Sequence, residues 1–373
     1  MANETIAGTY WGKAADPIKI GLYLTDPDMP NCYTDVYQMV FKEYYEKGLI
    51  NRPVELVIKK EDGLPFGTAK KDENGFREFV DEGCICVMAP ASSDNLIVLG
   101  PVADELHVPV IGWAGTERFN GPYCFRMGNG DCGGDPALIA QWVKSKGLSK
   151  VGVVCEVCPN GDEYFDYFRR HCRRLDITMV SVETMTQNVS QEKFTEVLGR
   201  MKEAGAEALV YMGYGMFFIR DMFNIAFKEL DWDPLRITTT AFMFYLMGFN
   251  LLEGWVGVDQ YCPENPRVQE FLDKYDAEYD DEPILWPNAI PLLAYDTAVA
   301  VAEGLFNAPA FTPEGMKTGL ERLRWIPTAC GGPQAHISGA PNEHNLLSGD
   351  WLLLSKIENE EIKHEALFSG AGF

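Results

Sequence analysis

The strongest constraint on the fold is a repeated alternation of short β-rich runs and helical patterns that begins at Ile18. The first runs are IKIGLYL, VELVIK, CICVMA and VPVIGW, and amphipathic stretches of helical length separate them. Runs that are apolar at nearly every position are typical of strands buried on both faces of a parallel sheet. The alternation therefore predicts an α/β fold in which helices cover both faces of a doubly wound parallel sheet.

The same pattern starts again after Gly134 and predicts a second lobe. Its runs are KVGVVC, ITMVSVET, ALVYM and RITTTA, again separated by helical patterns. A long apolar helix is expected at 287–308, where the chain returns to pack on one of the lobes. A chain of 373 residues, 46% of them apolar, can bury two such cores, since a domain usually takes about 100–200 residues.

Charge and composition exclude several classes of partner. The chain has 32 basic and 55 acidic residues, a net charge of −23 that is spread along the sequence. Such a charge opposes binding to nucleic acid or to an anionic membrane surface. No apolar run approaches the roughly 18–20 residues that span a bilayer, so we do not expect a membrane-embedded protein.

Two features bear on localisation. The first residues contain neither the basic segment nor the apolar segment of a signal peptide. The ten cysteines lack the spacing of a disulfide framework and favour a reducing compartment. The sequence as it stands therefore predicts a cytoplasmic protein, and a periplasmic or other extracytoplasmic one if an export signal has been removed.

Small and hydroxylic residues follow two of the predicted strands. In open α/β sheets ligands bind beyond the carboxyl ends of the strands. Ser92 and Ser93 follow CICVMA, where their hydroxyls suit a carboxylate or amide oxygen; capping of the next helix by Ser93 or Asp94 is an equal alternative. Ala114 and Thr116 follow VPVIGW, where the backbone either approaches a ligand closely or forms a simple tight turn.

The order and spacing of these motifs carry a family resemblance. The stretches are IKIGLYL, VELVIKKEDG, MAPASSDN, VPVIGWAGTERF, YCFRMGNGD, VGVVCEVCPNGDEYFDYF, GAEALVYMGYG and AYDTAVAVAEGL. Together they cover about residues 18–362 and resemble the type I periplasmic solute-binding proteins. The branch is that of the leucine/isoleucine/valine-binding proteins of ABC transporters and of the cytoplasmic amide sensor with the same fold.

The resemblance implies a division into two lobes and a mode of binding. The N-terminal lobe is expected at 17–127 and 262–331, and the C-terminal lobe at 128–261 and 332–373. The chain would cross between them three times, as a three-strand hinge. A ligand would lie in the cleft between the lobes, which closes by hinge motion.

The resemblance also implies binding positions on both lobes. On the N-terminal lobe Ser92 and Ser93 match the family's hydroxyl loop. Ala114 and Thr116 match the loop that binds the ligand's carboxylate or amide end, and Tyr33 matches an aromatic residue at the cleft mouth. A half-buried surface aromatic is the alternative for Tyr33. On the C-terminal lobe Asn160 stands where amino-acid binders often have a tyrosine, and Tyr214 follows ALVYM.

One segment departs from the amino-acid-binding members. They usually carry an acidic residue after the strand equivalent to RITTTA, where it pairs with the ligand ammonium, whereas this chain continues AFMFY at 241–245. A free α-amino acid is therefore disfavoured as the ligand. An apolar or aromatic wall is expected instead. Core packing is the alternative for about half of the residues proposed for it. Those residues are Tyr214, Met216, Phe217, Phe242, Phe244 and Tyr245.

No motif for catalysis, a cofactor or a metal is complete. Residues 128–133 fit G-x-G-x-x-G but do not follow the first strand of a βαβ unit, which excludes a nicotinamide or flavin site. Cys155 and Cys158 form C-x-x-C without a second pair or nearby histidines, so buried thiols are expected. The five histidines are scattered, and no nucleophile motif is present. We therefore predict no cofactor, no metal and no catalytic residue.

The sequence thus predicts a solute-binding protein that captures a small organic ligand by hinge closure. The ligand would have a carboxylate or amide end and an apolar or aromatic body, held by the eight positions from Tyr33 to Phe242 named above. The protein would act as an ABC-transporter component that meets a permease, or as a cytoplasmic sensor that meets a regulatory protein. The alternative is an enzyme of doubly wound α/β fold that works in the same cleft.

Overall fold

The computed structural model describes residues 16–24, 34–64, 67–89, 92–186, 188–213, 216–240, 251–279 and 289–367. They form two compact units. Unit 1 comprises the described residues up to Asn129 together with those of Tyr261–Trp351, and unit 2 comprises those of Gly130–Gln260 and of Leu352–Ser369. Over its described length the chain therefore passes from one unit to the other three times.

Unit 1 is built first around a parallel sheet. Its strands pair in the order β2-β1-β3-β4-β5 over the described residues, and β1 is buried at six of seven positions, as its apolar run requires. The elements in chain order are β1 (Ile18–Leu24), α1 (Thr34–Glu46), β2 (Val54–Lys60), α2 (Ala69–Asp81), β3 (Val87–Ala89), α3 (Ser93–Leu106), β4 (Val110–Gly112) and β5 (Cys124–Arg126).

The chain then forms most of unit 2. Its elements are α4 (Gly134–Ser145), β6 (Lys150–Glu156), α5 (Pro159–Arg174), β7 (Thr178–Met185), α6 (Gln191–Glu203), β8 (Ala208–Met212), α7 (Met216–Leu230), β9 (Leu235–Thr238) and β10 (Trp255–Asp259). The strands β10, β9, β8, β6 and β7 pair in parallel.

The chain returns to unit 1 and finally to unit 2. Unit 1 gains α8 (Pro266–Glu278), α9 (Ala289–Asn307), α10 (Pro313–Leu320) and a small antiparallel sheet of β11 (Ile326–Pro327), β12 (His336–Ile337) and β13 (Leu347–Ser348). The last hairpin, β14 (Leu353–Glu358) and β15 (Glu361–Leu367), pairs antiparallel with β10. The sheet order of unit 2 is β15-β14-β10-β9-β8-β6-β7 over the described residues.

The predicted α/β class with parallel sheets in two lobes is confirmed, with two differences inside the sheets. The run ITMVSVET was expected to be buried on both sides, but β7 is the edge strand of unit 2 and most of its residues are at least partly exposed. The antiparallel hairpin that extends the sheet at its other edge was not predicted. Edge strands have one neighbour, so an apolar run does not by itself ensure burial.

The lobe boundary near the C-terminus also differs from the expectation. Residues 332–351 were expected in the C-terminal lobe, and the structure places them in unit 1. The reason is backbone pairing beside β5. The amide of Arg126 donates to the carbonyl of His344 at 2.8 Å, and the amide of Leu346 donates back to the carbonyl of Arg126 at 2.9 Å.

The long apolar helix corrects the expectation about membrane spans. Among the described residues α9 is the one helix whose length and composition would suffice to cross a bilayer, and most of it is buried inside the protein. It packs against α1 and α10 in unit 1. Burial of this kind is what a core helix shows.

Two glycines allow α9 and α10 to approach closely. A Cβ atom at Gly319 would lie 1.9 Å from the carbonyl oxygen of Gly304, which is backbone and has no room to move. By contrast, a Cβ at Gly199 in α6 would meet only the Leu230 side chain at 3.4 Å, an ordinary contact.

These two positions provide a matched pair of substitutions. We expect Gly319→Ala to lower the free energy of unfolding of unit 1 by about 1–3 kcal/mol, because the helices must separate. We expect Gly199→Ala to raise that of unit 2 by about 0.5–1 kcal/mol, because alanine loses less backbone entropy in a helix. Native-state hydrogen exchange resolves the two units separately. A neutral or stabilising effect of Gly319→Ala would contradict the close approach of α9 and α10.

Candidate functional site

The carboxyl ends of β3 and β4 lie side by side in unit 1. Their register pairs Ala89 with Gly112 in parallel, so the loops that follow leave the same edge of the sheet. Those loops carry the predicted residues Ser92, Ser93 and Ala114–Thr116. Loops at this edge are where ligands meet open α/β sheets.

Ser92 and Ser93 have different surroundings. The Ser93 hydroxyl accepts the Gly115 amide at 3.1 Å, which joins the loop after β3 to the loop after β4. Ser92 occupies the N-cap position of α3, but its side chain makes no capping hydrogen bond. Its Oγ atom is buried and has no hydrogen-bond partner among the described residues. The capping alternative named Ser93 or Asp94, whereas the N-cap residue is Ser92, which makes no capping hydrogen bond through its side chain.

Ala114 and Thr116 are both buried, Thr116 completely. The Thr116 hydroxyl accepts the Arg118 amide at 3.1 Å, and its carbonyl accepts a hydrogen bond from the Arg126 guanidinium at 3.0 Å. Ala114 packs in the apolar cluster under α3. Hydrogen bonds to the Thr116 hydroxyl and to the Thr116 carbonyl thus fix the turn after β4. The Thr116 hydroxyl already accepts one hydrogen bond.

In unit 2 the end of β6 leads directly into α5 and positions Asn160. Cys158 is the N-cap residue of α5, and Pro159 begins the helix. Asn160 is 7% exposed, and its Oδ1 atom accepts a hydrogen bond from the Cys132 thiol at 2.9 Å. The side-chain oxygen is therefore fixed inside unit 2, at the first turn of the helix.

A buried carboxyl group that the sequence analysis did not single out organises the neighbouring loop. Asp135, in the first turn of α4, accepts hydrogen bonds from the Asp131 amide at 2.9 Å, the Thr240 amide at 2.9 Å and the Thr240 hydroxyl at 2.5 Å. Burial raises the pKa of Asp135 to about 7. The available signal was an aspartate two residues after the glycine-rich run 128–133.

Three predicted positions cannot be placed. Tyr33, Tyr214 and Phe242 lie outside the described residues, as do Phe244 and Tyr245. The structure therefore brings together Ser92, Ser93, Ala114 and Thr116 in unit 1, and it fixes Asn160 in unit 2. The aromatic wall expected after β9 remains a prediction.

The structure also shows the settings of the other motifs, and one of them differs from the expectation: buried thiols were expected for the C-x-x-C sequence, but Cys158 is not fully buried. The glycine-rich run 128–133 lies between β5 and α4, but β5 and the following strand β6 belong to different sheets, so the segment is not a βαβ unit. Cys155 is buried and Cys158 is half-buried, and neither forms a disulfide. Within the described ranges no group of three histidine, cysteine or acidic side chains is arranged to hold a metal ion.

Comparison with known proteins gives one family match and one curated relative. The family model for periplasmic binding proteins matches residues 29–351. Glutamate receptor 3.7 of Arabidopsis thaliana is 25% identical over an alignment of 250 residues, and the match covers 62% of this chain and 26% of the receptor. The chain therefore spans about a quarter of the length of that relative.

Solved structures with the same fold match over nearly the whole chain. An ABC-transporter substrate-binding protein from Desulfitobacterium hafniense in complex with Leu has a TM-score of 0.76 at 15% identity and covers 94% of this chain and 100% of its own. LivJ from Streptococcus pneumoniae in complex with isoleucine has a TM-score of 0.76 at 18% identity, with coverages of 95% and 100%. The leucine-binding protein LivK from Thermotoga maritima has a TM-score of 0.74 at 16% identity, with coverages of 95% and 99%.

These identities are low, so the structures show a shared fold. The family model provides the stronger statement because it extends across most of the sequence. The resemblance found in the motifs is thereby confirmed, and the chain belongs to the periplasmic binding protein family.

Proposed function

We propose that this protein binds a small organic solute with a carboxylate or amide end and an apolar or aromatic body. The observation that carries the proposal is the pair of loops after β3 and β4, tied together by Ser93 and Gly115 while the buried Ser92 hydroxyl has no partner among the described residues. A buried hydroxyl without a partner costs free energy, which a polar ligand atom would offset. The family to which the chain belongs supports solute binding as the class of function.

The predicted positions divide between the two ends of the ligand. Ser92, Ser93, Ala114 and Thr116 hold the polar end, with Thr116 fixed by Arg118 and Arg126. Asn160 contributes an amide from unit 2, while Tyr33, Tyr214 and Phe242 provide aromatic surface. Closure of the two units on the solute is the proposed mechanism, and it needs no chemical step.

Within this function we propose transport as the use. The related structures named above include an ABC-transporter substrate-binding protein, which supports a permease as the partner and an extracytoplasmic location. A cytoplasmic sensor read by a regulatory protein is the second candidate, favoured by thiols that form no disulfide over the described residues. Sequencing the native gene upstream of the present start distinguishes them, because a transport component needs an export signal.

A thermal-shift screen tests the proposal. The protein is stripped of ligand and mixed with amino acids, including leucine, and with amides, aromatic acids and short acyl compounds. A ligand at 100 times its Kd adds about 2.7 kcal/mol of stability. Stabilisation by amides or aromatic acids is the expected result. Stabilisation by α-amino acids alone would contradict the ligand class inferred from AFMFY, and conversion of a bound compound would support the enzyme alternative.

Ser92 and Ser93 provide a matched pair of variants for this site. We expect Ser92→Ala to weaken binding of the best compound from the screen by about 1–3 kcal/mol. The stability of the ligand-free protein should be unchanged or raised, because the substitution removes a buried hydroxyl that has no partner to lose. Ser93→Ala should lower the stability of unit 1 by about 1–3 kcal/mol, because the Gly115 amide loses its acceptor. Titration calorimetry and urea denaturation measure the two quantities. Unchanged affinity in Ser92→Ala would remove Ser92 from the site.

A further inference from the structure

One thiol differs from the others in its exposure. Nine cysteines lie within the described residues, and eight are buried while Cys158 is half-buried. Burial raises the pKa of the thiols of Cys84, Cys124, Cys155 and Cys172 to about 12. Among the cysteines that the structure describes, Cys158 is therefore the one that a reagent in solution meets first.

The position of Cys158 favours the anionic, reactive form of its sulfur. Its Sγ atom accepts the Gly161 amide at 3.3 Å, as the N-cap of the 16-residue helix α5. An amide hydrogen bond and the positive end of a helix both stabilise a thiolate. A half-buried thiol whose anionic form is stabilised thus lies at the first turn of α5 in unit 2.

A second thiol contacts the same residue as Cys158 does. The Cys155 thiol donates to the Gly161 carbonyl at 3.3 Å, so the two sulfurs contact the carbonyl and the amide of one glycine. The chain is tightly folded here, since the Cys158 amide donates to the Glu156 carbonyl at 3.0 Å and a Cβ at Gly161 would lie 2.1 Å from that carbonyl oxygen. This arrangement brings the two cysteines of the C-x-x-C sequence to one turn.

We propose that Cys155 and Cys158 form a dithiol pair that small-molecule disulfides oxidise to an intramolecular disulfide. The Cys158 thiolate attacks one sulfur of the reagent RSSR, forms a mixed disulfide and releases RS⁻. This RS⁻ takes up the proton that the Cys158 thiol had lost and becomes the first RSH. Cys155 then loses its proton and attacks the Cys158 sulfur, which forms the internal S–S bond and releases the second RSH. Two protein thiols are oxidised and one RSSR is reduced to two RSH.

The disulfide changes the first turn of α5. Both sulfurs leave Gly161, so the helix loses its side-chain cap and the Cys155 hydrogen bond. Asn160 stands between Cys158 and Gly161 in this turn. The effect on solute binding rests on the function proposed above, whereas formation of the disulfide does not.

The test uses the whole protein, folded and without solute, incubated with oxidised glutathione. We expect the wild type to lose two hydrogens in intact mass, and peptide mapping to join residues 155 and 158. Cys155→Ser should retain one glutathione adduct on Cys158, because the second step is blocked. Cys158→Ser should show neither change, and Cys172→Ser, a buried cysteine of the same helix, should behave like the wild type.

Several results would contradict the proposal that Cys155 and Cys158 form a dithiol pair. They are an adduct that persists on Cys158 in the wild type, a bond from Cys158 to a different cysteine, loss of two hydrogens in Cys158→Ser, and no reaction in the wild type at all. The peptide map of the wild type decides the matter if Cys155→Ser does not fold. A failed solute screen combined with a mapped 155–158 bond would reject the proposed ligand class and leave the dithiol pair standing.

Discussion

Asn265→Asp should lower the free energy of unfolding of unit 1 by about 3–5 kcal/mol at pH 8, the usual cost of an uncompensated buried charge. Asn265 is 2% exposed, and its side-chain amide donates to the carbonyls of Thr328 at 2.9 Å and Gly331 at 3.0 Å, with longer contacts to Ala329 and Gly332. A carboxylate has no hydrogen to donate and would face these carbonyl oxygens directly. The substitution changes the side chain by little more than one atom, so packing does not explain the loss.

Urea denaturation followed by hydrogen exchange in unit 1 measures this effect. Asn342→Asp is the matched control, because Asn342 is exposed in the same unit and its substitution should change stability by less than about 0.5 kcal/mol. Part of the loss in Asn265→Asp should return at pH 4–5, where a protonated carboxyl can donate one hydrogen bond. Equal stability of the two variants at pH 8 would show that the amide hydrogens of Asn265 do not hold the 328–332 loop.

Asp296→Ala should lower the free energy of unfolding of unit 1 by about 2–5 kcal/mol at pH 5, because two buried amides lose their acceptor. Asp296 lies in the apolar helix α9, and its two oxygens accept the amides of Ala329 and Cys330, each at 2.8 Å. These hydrogen bonds hold the 328–332 loop, whose carbonyl groups also accept hydrogen bonds from Asn265. Asn265 thus donates to backbone carbonyls of the 328–332 loop, and Asp296 accepts from its backbone amides. The two side chains together satisfy both donors and acceptors of a buried loop that is not part of a β-sheet.

The effect of Asp296→Ala should shrink as the pH rises. Burial raises the pKa of Asp296 from its usual value of 3.8 to about 7, so between these values the folded protein holds a proton that the unfolded chain releases. The wild type therefore loses stability as the pH rises through this window, by up to about 1.4 kcal/mol per pH unit. The alanine variant lacks this contribution.

Denaturation of both proteins at pH 5, 6, 7 and 8 measures the difference. Asp276→Ala, on the exposed face of α8, is the control and should follow the wild type at every pH. A stability difference between wild type and Asp296→Ala that stays constant, or grows with pH, would mean that Asp296 is ionised in the folded protein throughout this range.

The sequence predicted what depends on local pattern. IKIGLYL and ALVYM coincide with β1 and β8. The hydroxyl loops were found because strand ends are recognisable and share one edge of a parallel sheet. Most of what was missed inside unit 1 depends on contacts between residues far apart in the sequence.

The loop at 328–332 shows why such contacts cannot be predicted from the sequence. Asn265 reaches it from 63 or more positions away and Asp296 from 33 or 34. A single aspartate in an apolar helix was the available signal for the second contact. The strands β11, β12 and β13 have only two residues each, too few to show a period, and so the placement of 332–351 with unit 1 could not be predicted.

The interrupted course of the chain through the two units sets the order in which they can be completed during synthesis. Unit 1 contains the earliest described residues but stays incomplete until translation has passed Trp351, because α9, the 328–332 loop and the residues up to Trp351 are synthesised late. The sheet of unit 2 leaves one side of β10 without its neighbour until β14 emerges. A nascent chain of about 260 residues would therefore carry two incomplete cores and an open strand edge, a species prone to aggregation. Ribosomal pausing or chaperone binding in the last third of translation should accordingly affect the yield of this protein more than the same events earlier.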